Sequence, residues 1–180
     1  MLTKGIYLKN FNIGKKLLQV KKNLNSLINS KSEVLISLSK NYKSSYKKKL
    51  ILKLRNSSNF RVIGMGGSVL GAQAIYDFLK EKIKTNFLFI NNLQSQKVNN
   101  KKSIFTNLVI SKSGNTLETI VNANVLLKKK DKNIFITEKK TSYLYELAQK
   151  LKADIVHHNN FIGGRYSVLS EVGMLPAELM

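Results

Sequence analysis

The sequence predicts an α/β protein, a three-layer αβα sandwich around a mainly parallel five-stranded sheet, preceded by an N-terminal helical arm. From residue 61 onward, short apolar runs that suit buried strands alternate with longer segments whose apolar residues recur at helical spacing. The strand-forming runs are short, mainly apolar and separated by helices, which is typical of parallel strands covered by helices on both faces. We therefore expect a helical arm at residues 1–58 and a sheet domain at residues 59–180.

The elements are assigned in chain order. Residues 1–14 are expected to be extended, and residues 15–30 and 32–54 to be helices, with Ser32 as a candidate N-cap and the polar stretch 40–49 as a candidate break. Strands are expected at 61–65, 87–90, 107–111, 133–137 and 154–157. Helices are expected at 69–82, 116–129 and 142–152, a polar loop at 91–103, and a last helix from Pro176.

Composition excludes several classes of site. The chain of 180 residues contains no cysteine, which excludes disulfides and thiolate metal sites. His157 and His158 are adjacent, so in a strand they point to opposite faces, which is poor geometry for a shared metal. No apolar run approaches the ~20 residues of a membrane span, and the N-terminus lacks the apolar core of a signal peptide. We expect a cytoplasmic protein that has no metal or organic cofactor.

The net charge of +21 raises the possibility of nucleic-acid binding. Only Arg55, Arg61 and Arg165 are arginine, and the many lysines accompany abundant asparagine and isoleucine, which indicates a compositional bias. The lysines are scattered over predicted helix faces, with few aromatic residues between them. Solvated helix surfaces are therefore the favoured interpretation, and nucleic-acid binding is not expected. The positive field would still attract a phosphorylated substrate.

The first candidate site is the glycine turn after the first strand. Gly66 and Gly67 leave the turn without side chains, and Ser68 stands where a helix is expected to begin. Such a turn directs backbone N–H groups and a helix N-terminus toward an anion, and the Ser68 hydroxyl would either cap the helix or donate to that anion. Val69 replaces the third glycine of a dinucleotide fingerprint, and Asn91 stands where its acidic residue is expected. The alternative is that the glycines merely allow close packing of helix on strand.

The second candidate site follows the strand at 107–111. Ser111, Ser113, Thr116 and Thr119 bring four hydroxyl groups to one strand-to-helix turn. Together with helix N-terminal amides they would surround one phosphate, and neutral donors suit a substrate that must be released. The alternative is a turn rich in Ser and Thr with a capping residue. If the two strands are neighbours, both turns lie at the same sheet edge and converge.

The third candidate site lies in residues 161–170, after the last strand. Gly163 and Gly164 permit a sharp turn that presents Arg165. A guanidinium group at the ligand-binding edge of the sheet would stabilise an anionic intermediate through its planar donors. The alternative is an arginine that holds loop carbonyls or a carboxylate.

Together, these stretches resemble the N-terminal sugar-isomerase (SIS) domain of the glucose-6-phosphate isomerase family. The resemblance runs from about residue 60 to Met180. Its most specific part is the run 163–167, Gly-Gly-Arg-Tyr-Ser, followed by Val168, Ser170 and Val172-Gly173. The runs 66–68, Gly-Gly-Ser, and 111–113, Ser-Lys-Ser, with Thr116, Glu118 and Thr119 beyond, match the family's two sugar-phosphate loops.

The resemblance implies an enzyme that interconverts glucose 6-phosphate and fructose 6-phosphate without a cofactor, as a homodimer. Arg165 would stabilise the cis-enediolate intermediate, and Gly67 would lie beside the sugar. The implied phosphate-binding residues are Ser68, Ser111, Lys112, Ser113 and Thr116, with Gly66, Glu118, Thr119 and Gly164 in supporting positions.

The family's remaining catalytic groups are a base glutamate that moves a proton between C1 and C2, and a histidine and a lysine that help to open the ring. By this resemblance all three lie beyond Met180, so we expect an N-terminal fragment with little or no isomerase activity alone. Glu118 and Glu171 are expected to hold a loop or a helix start, and not to act as the base. His157 and His158 precede the arginine motif, whereas the family's ring-opening histidine does not.

Two alternatives to a glucose-specific enzyme stay open at this point. The run 113–116, Ser-Gly-Asn-Thr, replaces a threonine-rich run of the family and also resembles bifunctional phosphoglucose/phosphomannose isomerases. A phosphosugar-binding sensor module without chemistry would share the glycine turn and the hydroxyl cluster. Such a module would not explain the presence of the run 163–167, Gly-Gly-Arg-Tyr-Ser.

Overall fold

The computed structural model describes residues 18–30, 32–93 and 104–180. In this part of the chain a parallel sheet has the strand order β2-β1-β3-β4-β5. The strands are β1 (Asn59–Gly64), β2 (Asn86–Ile90), β3 (Thr106–Ile110), β4 (Lys132–Thr137) and β5 (Asp154–His157). The predicted fold class, including five parallel strands, is confirmed.

Helices flank the sheet and form the preceding arm. They are α1 (Leu18–Ile28), α2 (Glu33–Ser37), α3 (Lys48–Leu54), α4 (Leu70–Leu79), α5 (Leu117–Leu126), α6 (Tyr143–Lys150) and α7 (Glu171–Leu179). Short 3₁₀ turns occupy Gly66–Ser68, Lys80–Lys82 and Gly164–Tyr166. None of the helices in the described ranges is long and apolar enough to cross a membrane.

The two faces of the sheet carry separate apolar layers because successive strand residues point to opposite sides. Val62 packs in the layer beneath α3, α4 and α7, whereas Ile63 packs in the layer beneath α5 and α6. The first layer contains Leu54, Phe60, Leu108, Ile110, Ile134, Ile136, Val172 and Leu175, and the second contains Val109, Phe135, Ala123, Leu144 and Ala148. This division produces the three-layer sandwich.

The arm departs from its predicted form. The helix expected at 32–54 is interrupted, since α2 ends at Ser37 and α3 begins only at Lys48, and the gap contains most of the candidate break at 40–49. The intervening stretch contains the lysine-rich segment that was too polar to be buried. Ser32 occupies the N-cap position of α2, but its side chain makes no capping hydrogen bond. The extended conformation expected for residues 1–14 lies outside the described residues, as does most of the polar loop at 91–103.

The last helix begins earlier than expected. α7 starts at Glu171, with Ser170 as its N-cap residue, and Pro176 lies inside it. Val172, Leu175 and Leu179 belong to the apolar layer beneath this helix. Their burial outweighs the local cost of a proline inside a helix.

Arg61 is part of the interior and not of the basic surface. It is 7% exposed, and its Nη1 donates to Asn107 Oδ1 at 3.3 Å and to the Leu126 carbonyl at 3.1 Å. Its guanidinium also lies 4.0 Å from the centre of the Phe105 ring. Burial lowers the pKa of Arg61, and the nearby charge of Asp131 opposes that shift. This arginine therefore joins strands and has no role at the surface.

The strand order also defines where a ligand would bind. From β1 the chain first moves to β2 on one side of the sheet and later returns to β3 on the other side. The loops after β1 and β3 therefore flank a topological switch point. In open parallel sheets, the crevice at the carboxyl ends of such strands is the usual binding site.

Candidate active site

Three loops make up the candidate site: the first joins β1 to α4, the second joins β3 to α5, and the third joins β5 to α7. The first loop packs against the end of β3. A Cβ atom added to Gly64 would lie 2.8 Å from the Ile110 carbonyl oxygen and 3.2 Å from Ser68 Cβ. Gly66 has a φ of +54°, a conformation that favours glycine. α4 begins at Leu70, with Val69 as its N-cap residue and no side-chain cap. Of the two roles considered for the Ser68 hydroxyl, helix capping therefore does not occur.

The second loop brings three hydroxyl groups together. Ser111 Oγ lies 3.0 Å from Thr116 Oγ1, and Ser113 Oγ lies 3.5 Å from the same atom. Thr116 is the N-cap residue of α5, yet its side chain makes no cap hydrogen bond. The cluster therefore stands at a helix N-terminus whose first N–H groups receive no side-chain cap. We call Ser111, Ser113 and Thr116 the hydroxyl cluster.

The turn within this loop depends on Gly114. Its φ is +69°, and a Cβ atom at this position would collide with Ser142 Oγ and lie 2.7 Å from Ser142 Cβ. The backbone N–H of Gly114 donates to Ser111 Oγ at 3.2 Å, and that of Asn115 donates to Ser113 Oγ at 3.2 Å. These bonds fix the two serine hydroxyls of the hydroxyl cluster.

The fourth predicted hydroxyl does not join the cluster. Thr119 is 1% exposed, and its Oγ1 has no hydrogen-bond partner among the described residues. Glu118 lies in the first turn of α5 and is half-buried. The structure thus brings together Ser111, Ser113 and Thr116 and leaves Thr119 one turn away in the helix interior.

The third loop touches the first through its backbone. A Cβ atom on Gly67 would overlap the Gly164 carbonyl group and would lie 2.8 Å from the Arg165 backbone nitrogen. Arg165 is exposed and forms no ion pair with any described residue. It is also absent from the side-chain hydrogen bonds within the described ranges, so no loop carbonyl or carboxylate holds its guanidinium there. Arg165 and Gly67 line a groove of about 780 Å³ along the outer, apolar face of α4.

Internal hydrogen bonds shape the third loop. Ser167 and Ser170 are fully buried, and each donates through Oγ to a carbonyl oxygen at 2.7 Å, that of Gly164 and that of Ser167 respectively. Ile162 is also fully buried and anchors the loop in the interior. The serine of the glycine-glycine-arginine motif therefore supports the turn that presents Arg165.

Lys112 bridges the second and third loops. Its Nζ donates to the Asn160 carbonyl oxygen at 2.6 Å and lies 3.7 Å from Glu138 Oε1. Lys140 pairs with the other oxygen of Glu138 at 2.6 Å. Burial disfavours the charged form of Glu138, but the hydrogen bond and charge of Lys140 outweigh it and lower the pKa of this carboxyl group. The predicted role of Lys112 in phosphate binding stays a prediction, and its ammonium group is already engaged.

Sequence reasoning gave no role to the buried histidine at this edge. His158 is fully buried, and its Nδ1 lies 3.1 Å from the Asn159 carbonyl oxygen. Burial lowers the pKa of His158; the Asn159 hydrogen bond and the charge of Glu171 oppose this shift, while Lys112 adds to it. The described residues contain no group of three His, Cys, Asp or Glu side chains arranged to hold a metal ion.

Comparison with known proteins first defines the class. A structure of a putative sugar-phosphate isomerase from Listeria monocytogenes superposes with a TM-score of 0.59 at 18% identity, covering 92% of this chain and 90% of that chain. That similarity shows that the fold is the α/β fold of SIS-type phosphosugar isomerases.

The family follows from sequence. The family model of phosphoglucose isomerase matches residues 21–180, and the chain belongs to this family. Glucose-6-phosphate isomerase from Methanocaldococcus jannaschii is 38% identical over 137 residues, which cover 68% of this chain and 33% of that protein. The enzyme from Acholeplasma laidlawii is 39% identical over 144 residues, which also cover 68% of this chain and 33% of that protein. The matched region thus spans about a third of the length of these curated relatives.

Proposed function

We propose that this chain supplies the phosphate-binding loops and the enediolate-stabilising arginine of a glucose-6-phosphate isomerase. The observation that carries the proposal is the hydroxyl cluster, in which Ser111 and Ser113 both lie within 3.5 Å of Thr116 Oγ1. The cluster stands at the N-terminus of α5 in a chain that belongs to the phosphoglucose isomerase family.

The phosphate would be held mainly by neutral donors. Besides the three hydroxyls, the backbone N–H groups of Lys112 and Ser113 have no acceptor among the described residues. The N-terminal dipole of α5 adds a favourable field for an anion. Because the Lys112 ammonium is bound to Asn160, we assign the contribution of Lys112 to its backbone. Ser68, beside the end of β3, completes the donor set.

Arg165 would act at the other end of the sugar. Negative charge develops on the oxygens at C1 and C2 when a proton leaves C2 of glucose 6-phosphate, or C1 of fructose 6-phosphate, and a cis-enediolate forms. No carboxylate among the described residues engages the Arg165 guanidinium, so its planar set of N–H donors is available to this charge. The backbone contact between Gly67 and Arg165 couples this group to the first phosphate loop.

The two buried glutamates at this edge are not assigned as the proton-transferring base. Glu138 is engaged by Lys140 and Lys112, and Glu171 accepts two hydrogen bonds. The proposal therefore places substrate binding and charge stabilisation in this chain and assigns proton transfer to neither residue. A hexose 6-phosphate is the proposed small-molecule partner, and the homodimer implied by the resemblance stays a prediction.

Isothermal titration with fructose 6-phosphate tests the proposal, with unphosphorylated fructose as the ligand control. Thr116→Val removes one hydroxyl of the cluster while keeping the shape of the side chain. Thr85→Val, just before β2 at the opposite edge of the sheet, is the matched protein control. We expect Thr116→Val to weaken binding at least about tenfold, because a hydrogen bond to a charged group contributes about 1.5–3 kcal/mol.

The outcomes separate the proposal from its alternatives. Binding of fructose 6-phosphate but not of fructose, reduced in Thr116→Val and unchanged in Thr85→Val, supports it. Equal affinities of the wild type and Thr116→Val contradict it. Tight binding of duplex DNA with a steep dependence on salt, in the absence of sugar-phosphate binding, would favour the nucleic-acid alternative.

A further inference from the structure

Glu171 is a buried carboxylate without an ion-pair partner among the described residues. It is 0% exposed at the first position of α7. Its Oε1 accepts from the backbone N–H of Asn159 at 2.7 Å, and its Oε2 accepts from the Tyr42 hydroxyl at 2.7 Å. Burial of a carboxylate is costly unless its oxygens are hydrogen-bonded, and here both oxygens are. The N-terminal end of α7 further favours the negative charge.

The two hydrogen bonds connect segments that are far apart in sequence. Asn159 and Glu171 stand at the two ends of the loop that presents Arg165, so the bond to Oε1 closes this loop at its base. The bond to Oε2 attaches the same base to the arm, 129 residues away. Burial, the hydrogen bond to Glu171 and the charge of Glu171 raise the pKa of Tyr42, which keeps its hydroxyl protonated as a donor.

Among the described residues, few hydrogen bonds tie the loop between these ends to the rest of the molecule. Ser167 and Ser170 bond to carbonyls within the loop, and Ile162 anchors its first half. From outside the loop, the Lys112 ammonium bonds the Asn160 carbonyl, and Gly67 packs against the Gly164 carbonyl and the Arg165 backbone nitrogen. The position of Arg165 relative to the phosphate loops therefore depends on the base of the loop together with the contact at Gly67.

We propose that Glu171 is a positioning residue, which fixes the loop at 159–171 so that Arg165 faces the reacting end of the sugar. This inference rests on the proposed function and adds a residue to it. Glu171 does not transfer protons in this role, because both of its oxygens are occupied as acceptors. Its loss is expected to reduce recognition of an enediolate-like charge and to leave phosphate recognition nearly intact.

The chain provides a matched control on the same helix. Glu178 of α7 accepts from the hydroxyl of Tyr46 at 2.7 Å, so it also ties the arm to α7. Glu178 lies near the other end of the helix and does not bond the loop at 159–171. Comparison of Glu171→Ala with Glu178→Ala therefore separates loop positioning from loss of an arm contact.

The experiment measures two dissociation constants for each variant by isothermal titration. Inorganic phosphate reports the phosphate loops alone. The second probe is 5-phosphoarabinonate, a five-carbon sugar phosphate whose terminal carboxylate stands where the enediolate charge would develop. Glu171→Gln is included because its amide oxygen can still accept from the Asn159 N–H, while its NH2 group can donate to the Tyr42 hydroxyl oxygen. Glu171→Asp retains the charge, but its side chain is too short to reach both donors.

Glu171→Ala is expected to weaken binding of the aldonate about tenfold and that of inorganic phosphate less than about twofold. Glu171→Asp should show the same selective loss, Glu171→Gln should restore most of the affinity, and Glu178→Ala should change neither. An equal loss for both probes, or no loss in Glu171→Asp, overturns the inference. If Glu171→Ala does not fold, the Asp and Gln variants decide the question by the same comparison of the two dissociation constants. A wild type that binds neither probe would instead refute the proposed function.

Discussion

The contact between the first and third loops makes Gly67→Ala the sharpest test of the packing. A Cβ atom at this position would lie 2.8 Å from the Arg165 nitrogen and closer still to the Gly164 carbonyl. Ordinary contacts between such atoms are about 3.5 Å, so the two backbones must separate by roughly 0.7 Å or more. No flexible side chain can absorb this shift, because the colliding atoms belong to the main chain.

Overpacking of this kind costs about 2 kcal/mol, within the usual range for added methyl groups. For a chain of this size, that cost lowers the melting temperature by roughly 4–8 °C. Thermal unfolding followed by circular dichroism measures the difference. Gly164→Ala is the control on the opposite side of the same contact, because a Cβ atom there meets no atom within 4 Å. A Gly67→Ala protein that melts within about 1 °C of the wild type, or an equal loss in Gly164→Ala, would show that the two loops do not pack in this way.

Three further predictions concern the loop after β3 and the buried histidine. Gly114→Ala combines a positive φ with a collision at Ser142, so we expect a loss of about 2–3 kcal/mol in urea unfolding; a loss below about 0.5 kcal/mol would contradict the role of the turn. Ser111→Ala should weaken binding of inorganic phosphate by roughly fivefold to tenfold in a titration, because a hydroxyl donor is lost, and an unchanged affinity would remove Ser111 from the site. Burial lowers the pKa of His158, so the unfolded chain binds a proton first and stability should fall as the pH drops below about 6.5. The urea midpoint should therefore decrease between pH 7.5 and 5.5 more steeply in the wild type than in His158→Asn, and equal slopes would contradict this origin.

The features that could be predicted from the sequence are those that depend only on residues close together in the chain. The glycine turn at 66–68, the hydroxyl-rich turn at 111–116 and the run at 163–167 are local motifs, and their residue types directly specify turns; their role in binding an anion stays a prediction. Alternation of apolar runs predicted the parallel sheet. Because the carboxyl ends of parallel strands share an edge, the proximity of the loops after the adjacent strands β1 and β3 followed from topology. The contact of the loop after β5 with the loop after β1 did not, because β3 and β4 lie between these strands.

The features that sequence did not reveal depend on distant pairs. Nothing near Glu171 indicates that it bonds Tyr42, and nothing near Lys112 indicates that its ammonium reaches Asn160. The polar stretch 40–49 indicated a break in the helix expected at 32–54, but the residue pattern did not show that the two pieces end at Ser37 and restart at Lys48. Ser68 was a candidate helix cap because its residue type suits that position, but the helix begins two residues later, at Leu70. Such outcomes depend on tertiary packing, which local patterns do not encode.

In the proposed site, the loops after β1, β3 and β5 bind one phosphorylated sugar together. Backbone amide shifts recorded by NMR during titration with glucose 6-phosphate test this arrangement. We expect the amides of Gly67, Ser68, Ser113, Thr116 and Arg165 to shift together along one saturation curve. Shifts confined to exposed lysine-bearing surfaces, or movement of one loop without the others, would contradict it.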